Sequence, residues 1–191
     1  MTDILQRLQV HKLWLTLIAL CFFLQFIQDI AAFDRGLIEQ GEIWRLLSGH
    51  FTHLNWSHFG LNMGGVIMLM VFFANYQTNA YWLGAIVFIA LLSSAGLMLD
   101  MQLNRYVGFS GVLHGLFIIG ARFEMQRYKL SGVVLLMLIV VKLIWEQVYG
   151  AMPGSEEMTG GRVAVNAHLY GAIAGGLYLW FAEKFIARQI S

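Results

Sequence analysis

The sequence predicts an all-α membrane protein, a single domain of six transmembrane helices over residues 1–191. The chain is 59% hydrophobic, only 12% of its residues are charged, and its mean hydropathy is +0.66. These values lie outside the range of soluble domains. The net charge of +1 offers no basic surface for nucleic acid. Cys21 is the one cysteine and cannot form an internal disulfide, so helix packing must hold the fold.

Six runs of about 20 mostly apolar residues are long enough to cross a bilayer. They cover residues 13–33, 57–76, 80–99, 108–126, 131–149 and 165–187. The link after the first run is long, whereas the link after the second is a short turn. The first run lacks a small-residue cleavage site, so we predict an uncleaved first span rather than a signal peptide.

The distribution of Lys and Arg predicts that both termini are cytoplasmic. With an even number of spans, the termini share one side of the membrane, and seven basic residues fall there: Arg7, Lys12, Arg122, Arg127, Lys129, Lys184 and Arg188. Four fall on the other side: Arg35, Arg45, Arg105 and Arg162. The positive-inside bias therefore orients the chain.

Spans two, four and six all run inward from the outer surface, so their first residues lie at similar depth. These ends carry His58 and Asn62, Ser110, and His168. A polar side chain in hydrocarbon is costly unless it finds a partner, and an intramembrane ionisable residue points to a functional site. The sequence therefore predicts one functional layer below the outer surface, built from three spans.

Ser110 is the candidate nucleophile of this layer. Gly108 and Gly111 flank it and permit unusual backbone angles or close approach, and a helix N-terminus offers free N–H groups to an oxyanion. Helix packing is the alternative, because Gly111 and Gly115 form a small-xxx-small pattern.

His168 shares a helix face with Gly171 and Gly175, a smooth strip on which another helix can pack closely. If that helix is span four, Ser110 and His168 could form a nucleophile and general-base pair. A structural histidine with satisfied hydrogen bonds is the alternative.

The start of span two offers hydrogen-bond donors. His58 and Asn62 are four residues apart, on one face, and both can donate to an oxyanion. The rival interpretation is a metal or haem site formed by His50, His53 and His58. No cysteine or carboxylate joins these histidines, so we predict no metal.

Three further polar residues lie inside predicted spans. His114 is four residues after Ser110, and we expect it to support the layer from one turn deeper. Lys142 and Glu146 are also four apart, and we expect them to neutralise each other. No acidic partner for His168 is expected, since the nearest acids, at 156 and 157, fall in a loop.

The motifs together resemble the rhomboid intramembrane serine proteases over roughly residues 40–180. The resemblance rests on their order along the chain: Trp44-Arg45 in the first loop, His58 with Asn62, Gly108-x-Ser110-Gly111, and His168 with Gly171 and Gly175. A histidine, His114, stands where many rhomboids have a tyrosine, and this run looks like the rhombosortase branch.

The resemblance implies a six-helix rhomboid-like bundle without a cofactor, in which Ser110 is the nucleophile and His168 the base. The Ser110 N–H, His58 and Asn62 would form the oxyanion hole. Five residues would support the site: Gly108, Gly111, His114, Gly171 and Gly175. The turn-forming segment 152–157 is a candidate movable cover.

The rhombosortase resemblance further implies a bacterial inner-membrane enzyme whose active site opens toward the periplasm. Its substrates would be exported proteins with a C-terminal tail made of a Gly-Gly motif, a hydrophobic span and a basic end. The alternative function is a non-catalytic rhomboid-like protein that binds or chaperones transmembrane clients.

Overall fold

A computed structural model describes the backbone of residues 2–190 and the side chains of residues 10–184. The orientation prediction used Arg7 and Arg188, whose side chains lie outside the described residues. The ends of the predicted domain, Met1 and Ser191, also lie outside them. The helices are α1 (Thr2–Leu24), α2 (Gln28–Ala31), α3 (Arg35–Glu39), α4 (Arg45–Ser48), α5 (Trp56–Phe73), α6 (Asn79–Leu99), α7 (Ser110–Arg127), α8 (Lys129–Tyr149), α9 (Ser155–Thr159) and α10 (Val165–Ile190). The strands are β1 (Phe33–Asp34) and β2 (Arg105–Tyr106), and they pair antiparallel.

Five of the six predicted spans correspond to one long helix each: α5, α6, α7, α8 and α10. The first, 13–33, begins within α1 and continues through the turn Gln25–Ile27 and α2. Within the described residues, four segments are long and apolar enough to cross a membrane, namely Val10–Ala31, Trp56–Tyr76, Asn79–Leu99 and Lys129–Tyr149. The two other long helices, α7 and α10, carry Ser110 and His168. The chain is therefore an all-α, multi-pass membrane protein.

Helix α7 lies at the centre of the bundle and contacts α5, α6, α8 and α10. Its buried side chains include Val112, Leu116 and Ile119, which belong to the main hydrophobic core. Because other helices surround α7, its surface meets protein more than lipid. This position explains how α7 can be less apolar than its neighbours and still lie within the bundle.

The long link between the first and second spans is structured rather than a plain loop. Its strand β1 pairs with β2, which directly precedes α7. The Arg35 guanidinium donates to carbonyl oxygens at the end of α6 and in the next link, those of Leu97, Met98, Asp100 and Leu103. The link therefore fixes the approach to α7 from the outer end of the bundle.

Arg45 connects α4, within the same link, to the end of α2. It is 4% exposed, and its Nη1 donates to the carbonyl oxygens of Asp29 at 3.0 Å and Ala32 at 2.7 Å. Replacing Arg45 with Met should lower the free energy of unfolding by about 2 kcal/mol, because both oxygens lose a charged donor. Equilibrium unfolding in detergent micelles measures this loss.

Arg105→Met is the matched control for Arg45→Met. Arg105 pairs with the Asp29 carboxylate at 2.7 Å, but both side chains are more than half exposed. An exposed ion pair contributes little, so the control should change stability by less than about 1 kcal/mol. Equal losses in the two variants would contradict the assigned role of Arg45.

Candidate active site

A fixed turn leads the chain into α7. Gly108 has φ of +128°, a conformation that side chains with a Cβ rarely adopt. Its N–H donates to the Gly49 carbonyl at 3.1 Å, and its carbonyl accepts from the Tyr106 hydroxyl at 2.6 Å. Ser110 is then the first residue of α7, as predicted, and N–H groups in a first helical turn have no partner inside the helix.

The glycines of α7 and α10 face each other with their backbones in contact. An added Cβ on Gly171 would collide with the Gly111 carbonyl oxygen, and one on Gly175 with the Gly115 carbonyl oxygen. One on Gly111 would lie 2.8 Å from the Ala167 carbonyl oxygen. The smooth strip predicted on α10 therefore packs on span four.

This close packing brings Ser110 and His168 together. The serine Oγ lies 2.9 Å from Nε2 of the imidazole, although 58 residues separate them in sequence. His168 is 6% exposed, so little water competes for the ring. The two side chains are in hydrogen-bond contact, the geometry required between a nucleophile and its base.

The expectation that His168 has no acidic partner was wrong. Its Nδ1 lies 2.9 Å from Oε2 of Glu146, which reaches the ring from α8. A carboxylate only accepts hydrogen bonds, so Nδ1 carries a hydrogen, and in the neutral ring Nε2 then presents its lone pair to the serine hydroxyl. Glu146 was assigned only to Lys142, and that pair also forms, at 2.6 Å.

His114 stacks on His168, with ring centroids 4.3 Å apart and an interplanar angle of 20°. Its Nδ1 lies 2.7 Å from the Ser110 carbonyl oxygen and its Nε2 lies 3.0 Å from Nζ of Lys142. A carbonyl accepts and an ammonium donates, so His114 has its hydrogen on Nδ1 and is neutral. The supporting position predicted for His114 thus has both ring nitrogens bonded.

His58 and Asn62 line the same cavity as Ser110, which has a volume of about 570 Å³. The His58 Nδ1 accepts from the Leu54 N–H at 3.4 Å, which leaves the hydrogen on Nε2. An added Cβ on Gly108 would lie 2.9 Å from that Nε2, so the ring edge borders the turn before Ser110. Asn62 donates one amide hydrogen to the His58 carbonyl at 3.0 Å and has a second.

Of the three histidines of the rival metal interpretation, His50 has different contacts from the other two. His50 bonds Ser94 at 2.9 Å, whereas the His53 ring lies edge-on to that of His58 with centroids 5.2 Å apart. Burial lowers the pKa of His50 to about 4 and that of His53 to about 3. Both rings are therefore neutral packing elements of the first link.

A different group has converging ligand atoms: His114, Glu146 and His168 lie within 4.8 Å of one another. Lys142 already bonds two of these three residues, His114 and Glu146. Its ammonium repels a metal cation at that point, so the residue set fits a hydrogen-bonded network better than a metal centre.

The segment 152–157, predicted as a candidate cover, overlaps the short helix α9 at the cavity edge. Met152, Ser155 and Thr159 line the cavity. The Asn55 side chain donates to the Thr159 carbonyl at 2.8 Å, and Asn55 also caps the start of α5 beside His58. This bond ties α9 to the helix that carries the candidate oxyanion donors.

These features define a multi-pass helical membrane protein with a serine–histidine pair inside its bundle. The family model for the Rhomboid domain matches residues 40–185. The chain belongs to the rhomboid family, a family of intramembrane serine proteases, and the predicted resemblance to that family is confirmed. No curated protein sequence matches the chain.

Proposed function

We propose that the chain is an intramembrane serine endopeptidase that uses Ser110 and His168. The observation that carries the proposal is the 2.9 Å contact between the serine Oγ and the imidazole Nε2, in the tautomer that a general base requires. Membership of a family of intramembrane serine proteases supports the same chemistry.

The reaction follows from this contact. His168 takes the hydroxyl proton as Ser110 Oγ attacks the scissile carbonyl, and returns the proton to the leaving amine. A water molecule then hydrolyses the acyl-enzyme with the same histidine as base. The cavity borders the polar links outside the bundle, including Asp100, Arg105 and Arg162, and so offers that water a route.

His58, Asn62 and the Ser110 N–H would bind the oxyanion that forms during attack. Two single variants, His58→Ala and Asn62→Ala, should each lower kcat by about 100- to 1,000-fold, because such donors stabilise charge that develops in the transition state. KM should change little. Steady-state cleavage of a fluorogenic substrate separates the two constants, and an unchanged kcat would exclude that side chain from the oxyanion hole.

We further propose that both termini are cytoplasmic and that the cavity opens to the periplasm of a bacterial inner membrane. The supporting observation is the seven-to-four division of Lys and Arg given above. The outer ends of α5, α7 and α10 then hold the site at one shallow depth, where a transmembrane segment could enter sideways and unwind.

The substrate class is proposed from the rhombosortase-like run with His114: exported proteins whose C-terminal tail has a Gly-Gly motif, a hydrophobic span and a basic end. The cavity of about 570 Å³ beside Ser110 accommodates a short unwound segment of such a tail. Glycines at the cleavage site would let the substrate backbone approach the serine closely.

A reporter with such a tail, co-expressed with the protein, tests this proposal. We expect a shortened reporter whose new C-terminus, read by mass spectrometry, lies at the Gly-Gly motif. A matched reporter with Leu-Leu in place of Gly-Gly should stay intact. If the first reporter stays intact while a fluorophosphonate labels Ser110, the substrate class is wrong; if neither reaction occurs, the protein is a non-catalytic client binder.

A further inference from the structure

Glu146 is a buried carboxylate on α8, where it continues the buried face formed by Ile139 and Leu143. It is 3% exposed, whereas its neighbours Ile144 and Trp145 are 58% and 40% exposed. Both carboxylate oxygens have partners, since Oε1 accepts from Lys142 at 2.6 Å and Oε2 from His168 at 2.9 Å. A buried carboxylate within a membrane helix, with both oxygens hydrogen-bonded, points to function rather than to packing.

We propose that Glu146 is a positioning residue of the cleavage reaction, and that it acts with Ser110 and His168 as a third member. This proposal rests on the proposed protease function. The site would then consist of three residues, Ser110, His168 and Glu146, instead of two, and its acid would come from α8.

Glu146 can perform this role in two ways. By accepting from Nδ1 it keeps the hydrogen off Nε2, so His168 always offers a lone pair to Ser110. Its negative charge also stabilises the imidazolium that forms when His168 takes the serine proton. Without the carboxylate, the ring could turn its N–H toward the serine and lose its function as a base.

The surrounding charges strengthen the requirement for Glu146. Lys142 places an ammonium close to the two stacked histidines, where it opposes formation of the imidazolium. Glu146 lies between that ammonium and His168 and offsets it. The imidazole of His58 faces the same cavity and supplies no negative charge.

The contacts form a closed ring that begins and ends at Ser110. The hydroxyl contacts His168, which donates to Glu146; Lys142 donates to Glu146 and to His114. His114 donates to the Ser110 carbonyl and stacks on His168. The bonds to Glu146, from Lys142 and to the Ser110 carbonyl each have a direction fixed by an acceptor-only or donor-only group. In a neutral His168 these bonds leave Nε2 to accept from the serine hydroxyl.

The variant Glu146→Gln tests the proposal. We expect kcat for reporter cleavage, and the rate at which a fluorophosphonate labels Ser110, to fall about 1,000-fold or more. KM and the thermal midpoint in detergent should stay close to those of the wild type, because the fold and the substrate cavity remain. A merely structural role would instead lower the midpoint and leave the labelling rate of the folded fraction unchanged.

Glu183→Gln is the matched control. Glu183 on α10 pairs with Arg122 on α7 at 2.8 Å, and both are partly exposed. This variant also removes one acid from a pair between helices, but it is remote from the ring. It should keep the wild-type labelling rate and wild-type cleavage.

A double variant, Glu146→Met with Lys142→Met, keeps the proposal testable if the single variant fails to fold. The Glu146 side chain is 2% exposed and that of Lys142 36%, and replacing an ion pair with a buried member by apolar residues often leaves stability unchanged. The folded double variant should still label at least about 100-fold more slowly than the wild type. Labelling within about threefold of the wild type, in either folded Glu146 variant, overturns the role of Glu146 and leaves the protease function intact.

The wild-type reaction separates the two proposals. If the wild-type protein neither labels nor cleaves, the proposed function fails, and the role of Glu146 fails with it. If the wild type labels and the Glu146 variants label equally fast, only the role of Glu146 is lost.

Discussion

Replacing Ser110 with Ala should abolish cleavage of the tailed reporter, and replacing His168 with Ala should do the same. The first variant removes the attacking oxygen, and the second removes the group 2.9 Å away that takes its proton. Losing either member of such a pair typically costs on the order of 10⁶-fold in kcat. Gel analysis of the co-expressed reporter measures the loss.

Ser93→Ala is the control for these variants. Ser93 is a fully buried serine on α6, outside the cavity lining, and its Oγ has no hydrogen-bond partner among the described residues. Its replacement should leave cleavage and insertion unchanged. Retention of cleavage by the Ser110 variant would require another nucleophile and would refute the proposed mechanism.

The second large effect is expected from Gly171→Ala. The added methyl group would collide with the backbone carbonyl of Gly111, so α7 and α10 would have to separate. Overpacking of this kind costs about 1–3 kcal/mol of stability. A displacement of about 1 Å between reacting groups can also cost about 100-fold in rate, and His168 lies one turn from this contact. Thermal unfolding and cleavage by the same purified sample measure both effects.

Gly176→Ala provides a matched control on the same helix. Apart from its chain neighbours and the backbone of its own helix, no atom lies within 4 Å of the position that its Cβ would take. Alanine favours a helix over glycine by about 1 kcal/mol, so this variant should be as stable as the wild type or more stable. If both alanine variants behaved alike, close backbone packing of α7 on α10 would not be what sets the geometry of the site.

The sequence predicted the helices, the family and the contact between Ser110 and His168 because each has a local signal. Long apolar runs mark the spans, and Gly171 with Gly175 marks a face that packs closely. Because successive spans cross the membrane in opposite directions, the outer ends of the second, fourth and sixth spans lie at one depth. The predicted pair follows from these three rules, and the 2.9 Å contact agrees with it.

Glu146 was missed because its nearest basic residue lies on the same helix. The four-residue spacing from Lys142 suggested a self-contained ion pair, and that pair exists. Which way α8 turns about its own axis depends on its packing against α7 and α10, and no residue pattern specified this. The signal that was available is the rarity of an acid within a membrane span.

The secondary structure of the link between the first and second spans was missed for a different reason. Its short helices α3 and α4 and the two-residue strand β1 are held by contacts to distant parts of the chain, such as the bonds from Arg35 to the end of α6 and to the link after it. Segments this short have little intrinsic stability, so their local sequence predicts them poorly.

The most direct test of the Ser110–His168 pair is the rate of covalent labelling by a fluorophosphonate in detergent, with the modified residue identified by mass spectrometry. An unactivated serine does not react with this reagent at an appreciable rate. We predict a single adduct on Ser110 in the wild-type protein and no adduct in His168→Ala. Absence of an adduct from the wild type, or an equal labelling rate in His168→Ala, would contradict activation of this serine by this histidine.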